Sequence, residues 1–287
     1  MQYESCDAKN RADYILANID KDGIGIEIGP SHRPLAPKRM GYRTHVIDHM
    51  TRDDLKIKYE NANVALENIE EVDFVWRGES YAELTQQSGY YDWIIASHVI
   101  EHVPDMIGFL TDCDEILKDE GVLSLAIPDS RFCFDHFRPV SSLGSVIDAS
   151  LEGRKLNSPG MVAEFLLNAV KRGGTITWPR NNTNEFSFIH GIEGVRNAVK
   201  KVTEERAYID VHVWCFTPHW FRLMIEDLYA LGFINMREID FFDPGTHEFY
   251  ITLGSHGKGP GMSRLALLKR VNIEQLRADA AVQCSNE

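Results

Sequence analysis

Apolar and polar positions come in blocks along this chain, and the period changes from block to block. Between residues 5 and 20, Ala12, Ile15, Leu16 and Ile19 recur at helical spacing and stop at the turn Asp20-Lys21-Asp22-Gly23. A strand is predicted over residues 23–28, where glycine alternates with isoleucine and Glu27, Ile28, Gly29 and Pro30 close the run. Further strands are predicted over 43–47, ending at Asp48, and over 72–76, ending at Arg77, Gly78 and Glu79. The short apolar run 93–96, bounded by Asp92 and Ser97, reads as a fully buried central strand. A helix follows with Ile107, Leu110, Cys113, Ile116 and Leu117 on one face and Gly121 as its cap, then a fifth strand over 122–127. Strands separated by helical patterns predict βαβ units and a parallel sheet.

From 129 to 216 the strand pattern is lost. Helical segments are predicted over 143–151, 161–170 and 195–206, with breakers at Gly173, Gly174 and Pro179. Beyond them, a helix over 218–231 with Thr217 as N-cap and Gly232 as stop precedes strands over 236–242 and 248–253. The turn Asp243-Pro244-Gly245 joins those two strands antiparallel. Residues 254–261 read as a flexible tail, and 265–278 as an amphipathic helix that packs on the domain or forms a homo-oligomer contact. The expected fold class is α/β: a doubly wound, mostly parallel seven-stranded sheet with a largely helical insertion between the fifth and sixth strands. The division is a core over 1–129 and 217–253, an acceptor lid over 130–216, and a C-terminal tail over 254–287.

The stretch 91–105, YDWIIASHVIEHVPD, carries the densest candidate chemistry. His98, Glu101 and His102 stand at i, i+3 and i+4, so a helical continuation of the strand puts all three on one face. Groups at the carboxyl end of a buried strand are where an open α/β sheet places its ligand. Charge narrows the ligand classes. A formal net charge of -13 over 287 residues argues against nucleic acid, because phosphate binding needs a dense basic face, and favours a cationic cofactor. Five cysteines without paired spacing suggest free thiols and a cytoplasmic setting. No apolar run approaches the length of a transmembrane segment, and the first residues carry no signal-peptide core.

Glu27-Ile28-Gly29-Pro30 after the first strand, with Asp48 ending the second about 20 residues later, fits a fold that holds an adenosine by its ribose. A nicotinamide dinucleotide needs a G-x-G-x-x-G turn for its pyrophosphate, and no such run follows a strand here. The sequence resembles the class I S-adenosylmethionine-dependent methyltransferases over residues 23–128 and 217–253, a Rossmann-like fold. The resemblance implies that Glu27, Gly29 and Pro30 form the cofactor turn and that Asp48 holds the ribose hydroxyls. It also implies that Gly78 and Glu79 border the adenine and that Ser97 and His98 floor the methionine end. The sequence departs from that family where PSHRPL replaces its second and third glycines, so the loop after Gly29 takes another course.

The run His98-x-x-Glu101-His102 resembles the E-x-x-E-H divalent-metal ligands of some small-molecule and RNA 2'-hydroxyl methyltransferases, with His98 in place of the first acid, which makes His98, Glu101 and His102 candidate metal ligands beside a structural reading as a helix start. Further groups come from the segment 130–216: Asp135, His136 and Arg138 in FDHFRP, His190 in FIHG, and Asp210, His212 and Trp214 in DVHVW. An alcohol acceptor must lose its proton, so His136 or His212, with His102 as an alternative, are candidate catalytic bases. Arg138, His190 and Trp214 are candidate acceptor-binding residues, with Arg131 and Arg154 as further anion anchors. The motifs FDHFRP and DVHVWCFTP resemble bacterial glycan-associated methyltransferases, which implies a sugar or glycan hydroxyl as acceptor. Alternatives are a small carboxylated or nucleotide-linked metabolite, an NAD-dependent oxidoreductase, and a non-catalytic cofactor-binding module.

Overall fold

The computed structural model describes residues 10–283, with side chains to residue 276. One seven-stranded sheet forms its centre, in the order β3-β2-β1-β4-β5-β9-β8. These strands are β1 (Ile24–Ile28), β2 (Arg43–Asp48), β3 (Phe74–Val75), β4 (Tyr91–Ser97), β5 (Leu117–Pro128), β8 (Arg237–Phe242) and β9 (Glu248–Gly254). β1 pairs in parallel with β2 and β4, β4 pairs in parallel with β5, and β9 runs antiparallel to both β5 and β8. The seven strands and the doubly wound order are those expected from the apolar blocks. Strand order reverses between β1 and β4, which opens a crevice at their carboxyl ends.

Each face of the sheet is covered for a reason visible in the strand period. Ile94 and Ala96 of β4 point into the larger core, with α4 (Met106–Ile116) and α8 (Pro218–Ala230) packed over it. Trp93 and Ile95 point to the opposite face, where Ile15 of α1 (Arg11–Ile15) closes a smaller core. The remaining helices of the first half are α2 (Arg52–Tyr59) and α3 (Tyr81–Thr85). α9 (Arg264–Gln283) lays Leu267 and Val271 against Leu223 of α8, so this helix packs on its own domain. Among the described residues no helix is long and apolar enough to cross a membrane. Cys113, Cys133 and Cys215 are buried free thiols, while Cys6 and Cys284 lie outside the described residues.

Residues 130–216 hold α5 (Leu143–Leu151), α6 (Pro159–Asn168) and α7 (Ile192–Glu205), together with the strands β6 (Val170–Arg172) and β7 (Phe186–Phe188). Val162 and Leu166 of α6 pack on Val195 and Val202 of α7 as a separate small core. α5 instead places Val146 and Ala149 in the main core.

Several local expectations are corrected. The β6–β7 hairpin was not anticipated, because each strand is only three residues long and its pattern is masked by Gly173 and Gly174. α4 ends at Ile116, and Gly121 sits inside β5 against the Tyr91 backbone rather than capping the helix. The first helix is one short turn, and the part expected over residues 5–9 lies outside the described residues. Thr217 occupies the N-cap position of α8, but its hydroxyl makes no capping bond. The chain after β4 does not continue as a helix: His98 is left-handed, and residues 98–105 form a turn before Asp105 caps α4.

Candidate functional site

The carboxyl ends of β1, β2 and β3 form one half of the site. Gly29 leaves β1 with φ 63, a left-handed conformation in which a side chain is strained, and donates its N–H to Ile47 O at 2.8 Å. The loop then curls back, so that Leu35 N and Ala36 N donate to the two carboxylate oxygens of Glu27 at 2.7 and 3.1 Å. That is the course PSHRPL takes in place of a longer glycine turn: the acid inside β1 braces the loop by its backbone. Asp48, buried at the end of β2, accepts from His49 N at 2.7 Å and faces His49 Nδ1 at 2.6 Å. Beside it lies an open cleft of about 440 Å³, lined by His49, Met50, Thr51, Asp54, Lys58 and Arg77 among others, a volume suited to an adenosine. Gly78 has φ 107 with open space where a Cβ would stand, while the Glu79 carboxylate accepts from Arg77 N at 2.8 Å within its own turn. A left-handed glycine, a braced loop and a cleft beside a buried strand-end acid fit the adenosine part of the cofactor that the sequence implies.

Burial raises the Glu27 pKa to about 7 from an ordinary value of 4.5, against the pull of its two backbone donors; Glu70 adds to the rise and Arg11 opposes it. The folded state therefore holds a proton that the unfolded chain loses. Stability contributed at this site is full below about pH 4.5, falls as pH rises, and levels off above about 7, a change on the order of 3 kcal/mol. Glu27→Gln removes the titration but sets an amide N–H against a backbone donor. We expect it to be less stable than the wild type at pH 5, with a gap that narrows towards pH 8. Thermal melts of both proteins across that range check this, and parallel curves would sink it.

The other half of the site gathers at β4, β9 and the strap 211–216. The strap is docked by Val213 N and Trp214 N, which donate to Glu101 O at 2.7 and 3.1 Å, and by the Trp214 indole N–H, which donates to Val103 O at 2.7 Å. This brings His212 beside the turn, although more than 100 residues separate them in sequence. Glu101 is 1 % exposed, and neither of its carboxylate oxygens accepts a hydrogen bond from the described residues. Three imidazoles surround it: His98 Nδ1 at 3.5 Å, His102 Nε2 at 3.9 Å and His212 Nε2 at 3.9 Å. The rings of His102 and His212 stand nearly perpendicular, 4.7 Å apart.

Each outer nitrogen has an acidic partner. His102 Nδ1 meets Asp210 at 2.8 Å, His212 Nδ1 meets Asp135 at 2.6 Å, and His98 Nε2 meets Glu248 at 2.8 Å. At Glu101, His98, His102 and Asp135 burial works against charge, and the pairing outweighs it. It would raise Glu101, but the neighbouring imidazoles hold that carboxyl below its usual range. It would lower His98, but the carboxylates of Glu101 and Glu248 raise it to about 9. Burial also pushes Asp135 up, and His212 with Arg138, whose Nη1 lies 2.8 Å from Asp135, hold it down. Glu101, His102 and His212 offer one ligand atom each within 4.8 Å of one another, a set a divalent ion could join.

The remaining predicted residues lie elsewhere or serve differently. Ser97 accepts from Arg11 Nη2 at 2.5 Å. Trp214 is buried in the main core, and Arg138 is held between Asp135, Glu164 and Val213 O, so neither presents a face to an acceptor. His190 is exposed and tilted against Phe165. His136 stacks on Phe186 beside Trp178 and Phe137, and its Nδ1 meets Arg131 O at 2.9 Å. Arg131 itself forks onto the buried Asp129, and Arg154 pairs with Glu152. Two residues escaped the sequence reading, Arg11 and Glu248. An acid opening an otherwise apolar strand, as in HEFYITLG, was the available signal for the second.

No curated protein matches the chain. Among solved structures, a Rhodobacter sphaeroides protein described as a Zn-dependent alcohol dehydrogenase shares 12% identity, with 86% of this chain and 89% of that one covered and a TM-score of 0.43. The CcbJ methyltransferase from Streptomyces caelestis shares 9% over 85% and 87%, with a TM-score of 0.43. A SAM-dependent methyltransferase from Aquifex aeolicus shares 10% over 85% and 88%, with a TM-score of 0.41. A family model described as a methyltransferase domain matches residues 1–193, about two thirds of the sequence, and the chain belongs to that family.

Proposed function

We propose that the protein transfers a methyl group from S-adenosylmethionine to a hydroxyl of a sugar or glycan, with His212 as the base. The observation that carries this reading is the pairing of His212 Nδ1 with the buried Asp135, which leaves Nε2 turned towards the crevice end of β4. Asp135 fixes the tautomer in which Nε2 is the acceptor, and Arg138 keeps Asp135 ionised. The acceptor's proton passes to Nε2, and Glu101 stabilises the imidazolium that results. The cofactor supplies a methyl group on a cationic sulfur that leaves as a neutral thioether. The likeness of FDHFRP and DVHVWCFTP to glycan-associated methyltransferases supports a sugar as acceptor.

That no described residue donates a hydrogen bond to buried Glu101 favours a second reading, in which Glu101, His102 and His212 hold a divalent ion. Asp210 and Asp135 would then orient the two imidazoles from behind, as carboxylates commonly do for ligating histidines. The ligand set differs from the one expected in sequence: His98 turns its Nε2 to Glu248, and His212 takes its place. Two imidazoles and one carboxylate suit zinc or manganese better than calcium.

Turnover to S-adenosylhomocysteine with nucleotide sugars and glycans tests the activity. His212→Ala is expected to slow it roughly 100- to 10,000-fold. Unchanged turnover in the alanine variants of His212, His102 and His136 would overturn the base, and turnover only with carboxylated metabolites would move the acceptor class. Elemental analysis of protein purified without chelators decides between base and ion: one ion per chain, lost in Glu101→Ala, selects the second reading.

A further inference from the structure

The arginines expected to hold an anion are otherwise engaged. Of the five between residues 130 and 180, Arg131 forks onto Asp129, Arg138 pairs with Asp135, Arg154 pairs with Glu152, and Arg172 donates from Nε to Asn184 O. The fifth, Arg180, is exposed and makes no hydrogen bond or ion pair among the described residues. Its position is nevertheless fixed. Thr177 bridges Cys133 in antiparallel register, Trp178 N donates to Phe132 O at 3.0 Å, and Asn182 N donates to Pro179 O at 3.0 Å. The guanidinium carbon then stands 5.5 Å from the centre of the Phe132 ring. Nη2 lies against the turn 243–245, 3.2 Å from where a Cβ on the left-handed Gly245 would be.

This places Arg180 at the carboxyl edge of the sheet, on the side of the proposed base. Phe132 ends the single turn 130–132 that follows β5, where Asp129 N donates to His247 O and Ser130 N donates to Phe216 O of the strap. Two residues on, the Phe134 ring lies 4.6 Å from the His212 ring. Phe132 and Phe134 have Cα atoms at most about 7 Å apart, so one short stretch touches Arg180 at one end and His212 at the other. The nearby acid is turned elsewhere: Asp243 Oδ1 accepts from Gly245 N, and its Oδ2 faces Arg131. Trp178, 3 % exposed, carries an indole N–H that also has no acceptor among the described residues. Both unengaged groups of the run Trp178-Pro179-Arg180 are therefore donors. A planar guanidinium resting on an aromatic ring is a preorganised partner for carboxylate or phosphate oxygens.

We propose that Arg180 binds an acidic group on the acceptor, a carboxylate or a phosphate, and so selects charged sugars over neutral ones. This rests on the acceptor reading above, which the wild type tests separately. Methyl glucoside, methyl glucuronide and glucose 1-phosphate share one kind of ring and carry no acid, a carboxylate and a phosphate. The wild type is expected to methylate at least one acidic probe with kcat/KM roughly 10- to 100-fold above that of the neutral one. Arg180→Gln is expected to remove most of that preference through KM rather than kcat, and Arg180→Lys to restore part of it. The acidic probe that is preferred tells carboxylate from phosphate. A wild type that methylates the probes without preference overturns the inference, as does a preference that survives Arg180→Gln or is lost in kcat alone. A preference left intact beside a lowered melting temperature makes Arg180 a cap on Phe132 and overturns it equally. Methyl transfer to none of the three probes removes the sugar reading itself, and this inference with it.

Discussion

Replacing Gly25 by alanine is expected to lower the melting temperature by on the order of 10 °C. β1 is a central strand with neighbours on both edges, and Gly25 is directly paired with Trp93 of β4. A Cβ built on Gly25 would stand 2.0 Å from Cδ2 and 2.2 Å from Cε2 and Cε3 of Trp93, far inside van der Waals contact. The ring has nowhere to go: Trp93 is fully buried, its indole N–H donates to Asp20 O at 2.9 Å, and Tyr42 meets it edge-on. Overpacking of this kind costs about 3 kcal/mol or more when neither backbone can shift. Gly25→Ala combined with Trp93→Leu should recover a large part of the loss, because the smaller side chain vacates the space. Melting curves of the two variants decide it; a single variant that melts within a degree or two of the wild type would show that the sheet yields.

That contact also explains how much of the fold was legible. Alternating glycine and isoleucine in 23–28 reads as a strand, and apolar 93–96 reads as a central strand, because burial on both faces leaves a continuous apolar run. The pairing of one glycine with one tryptophan is a property of register, which no single strand encodes. The same limit divides the site. Glu27, Gly29 and Asp48 sit at strand ends, where local pattern places them, and their positions in the fold follow from the strands alone. His98, Glu101 and His102 were expected to share a helical face; instead a left-handed His98 starts a turn that brings His98 and His102 to Glu101, and tertiary packing adds His212. His212 and Asp135 could be suspected as types but not paired, since they are 77 positions apart in the sequence. Trp214 shows the converse: an aromatic in a motif-like stretch turned out to anchor the strap, with its indole on Val103 O.

The base and the ion readings converge on the Asp135 pair, which can be tested for both at once. Asp135→Asn is expected to cost roughly 3–5 kcal/mol of stability, because it removes the charge facing Arg138, whose side chain is 1 % exposed. It is also expected to slow turnover roughly 100- to 10,000-fold. An asparagine whose oxygen stays on Arg138 presents its N–H₂ to His212 Nδ1 and inverts the tautomer, so that Nε2 carries a proton and can neither accept one nor ligate an ion. The two effects separate in the double variant Asp135→Leu with Arg138→Met. Removing both charges together, with apolar side chains of similar size, is often neutral or stabilising, so the melting temperature should return most of the way. Activity should not return, because nothing then fixes the His212 ring. Under the ion reading the double variant also loses bound metal, by roughly 10- to 100-fold in affinity; under the base reading its metal content matches the wild type. Recovery of both stability and turnover would reduce Asp135 to a packing role and leave His212 without the partner that makes it a base.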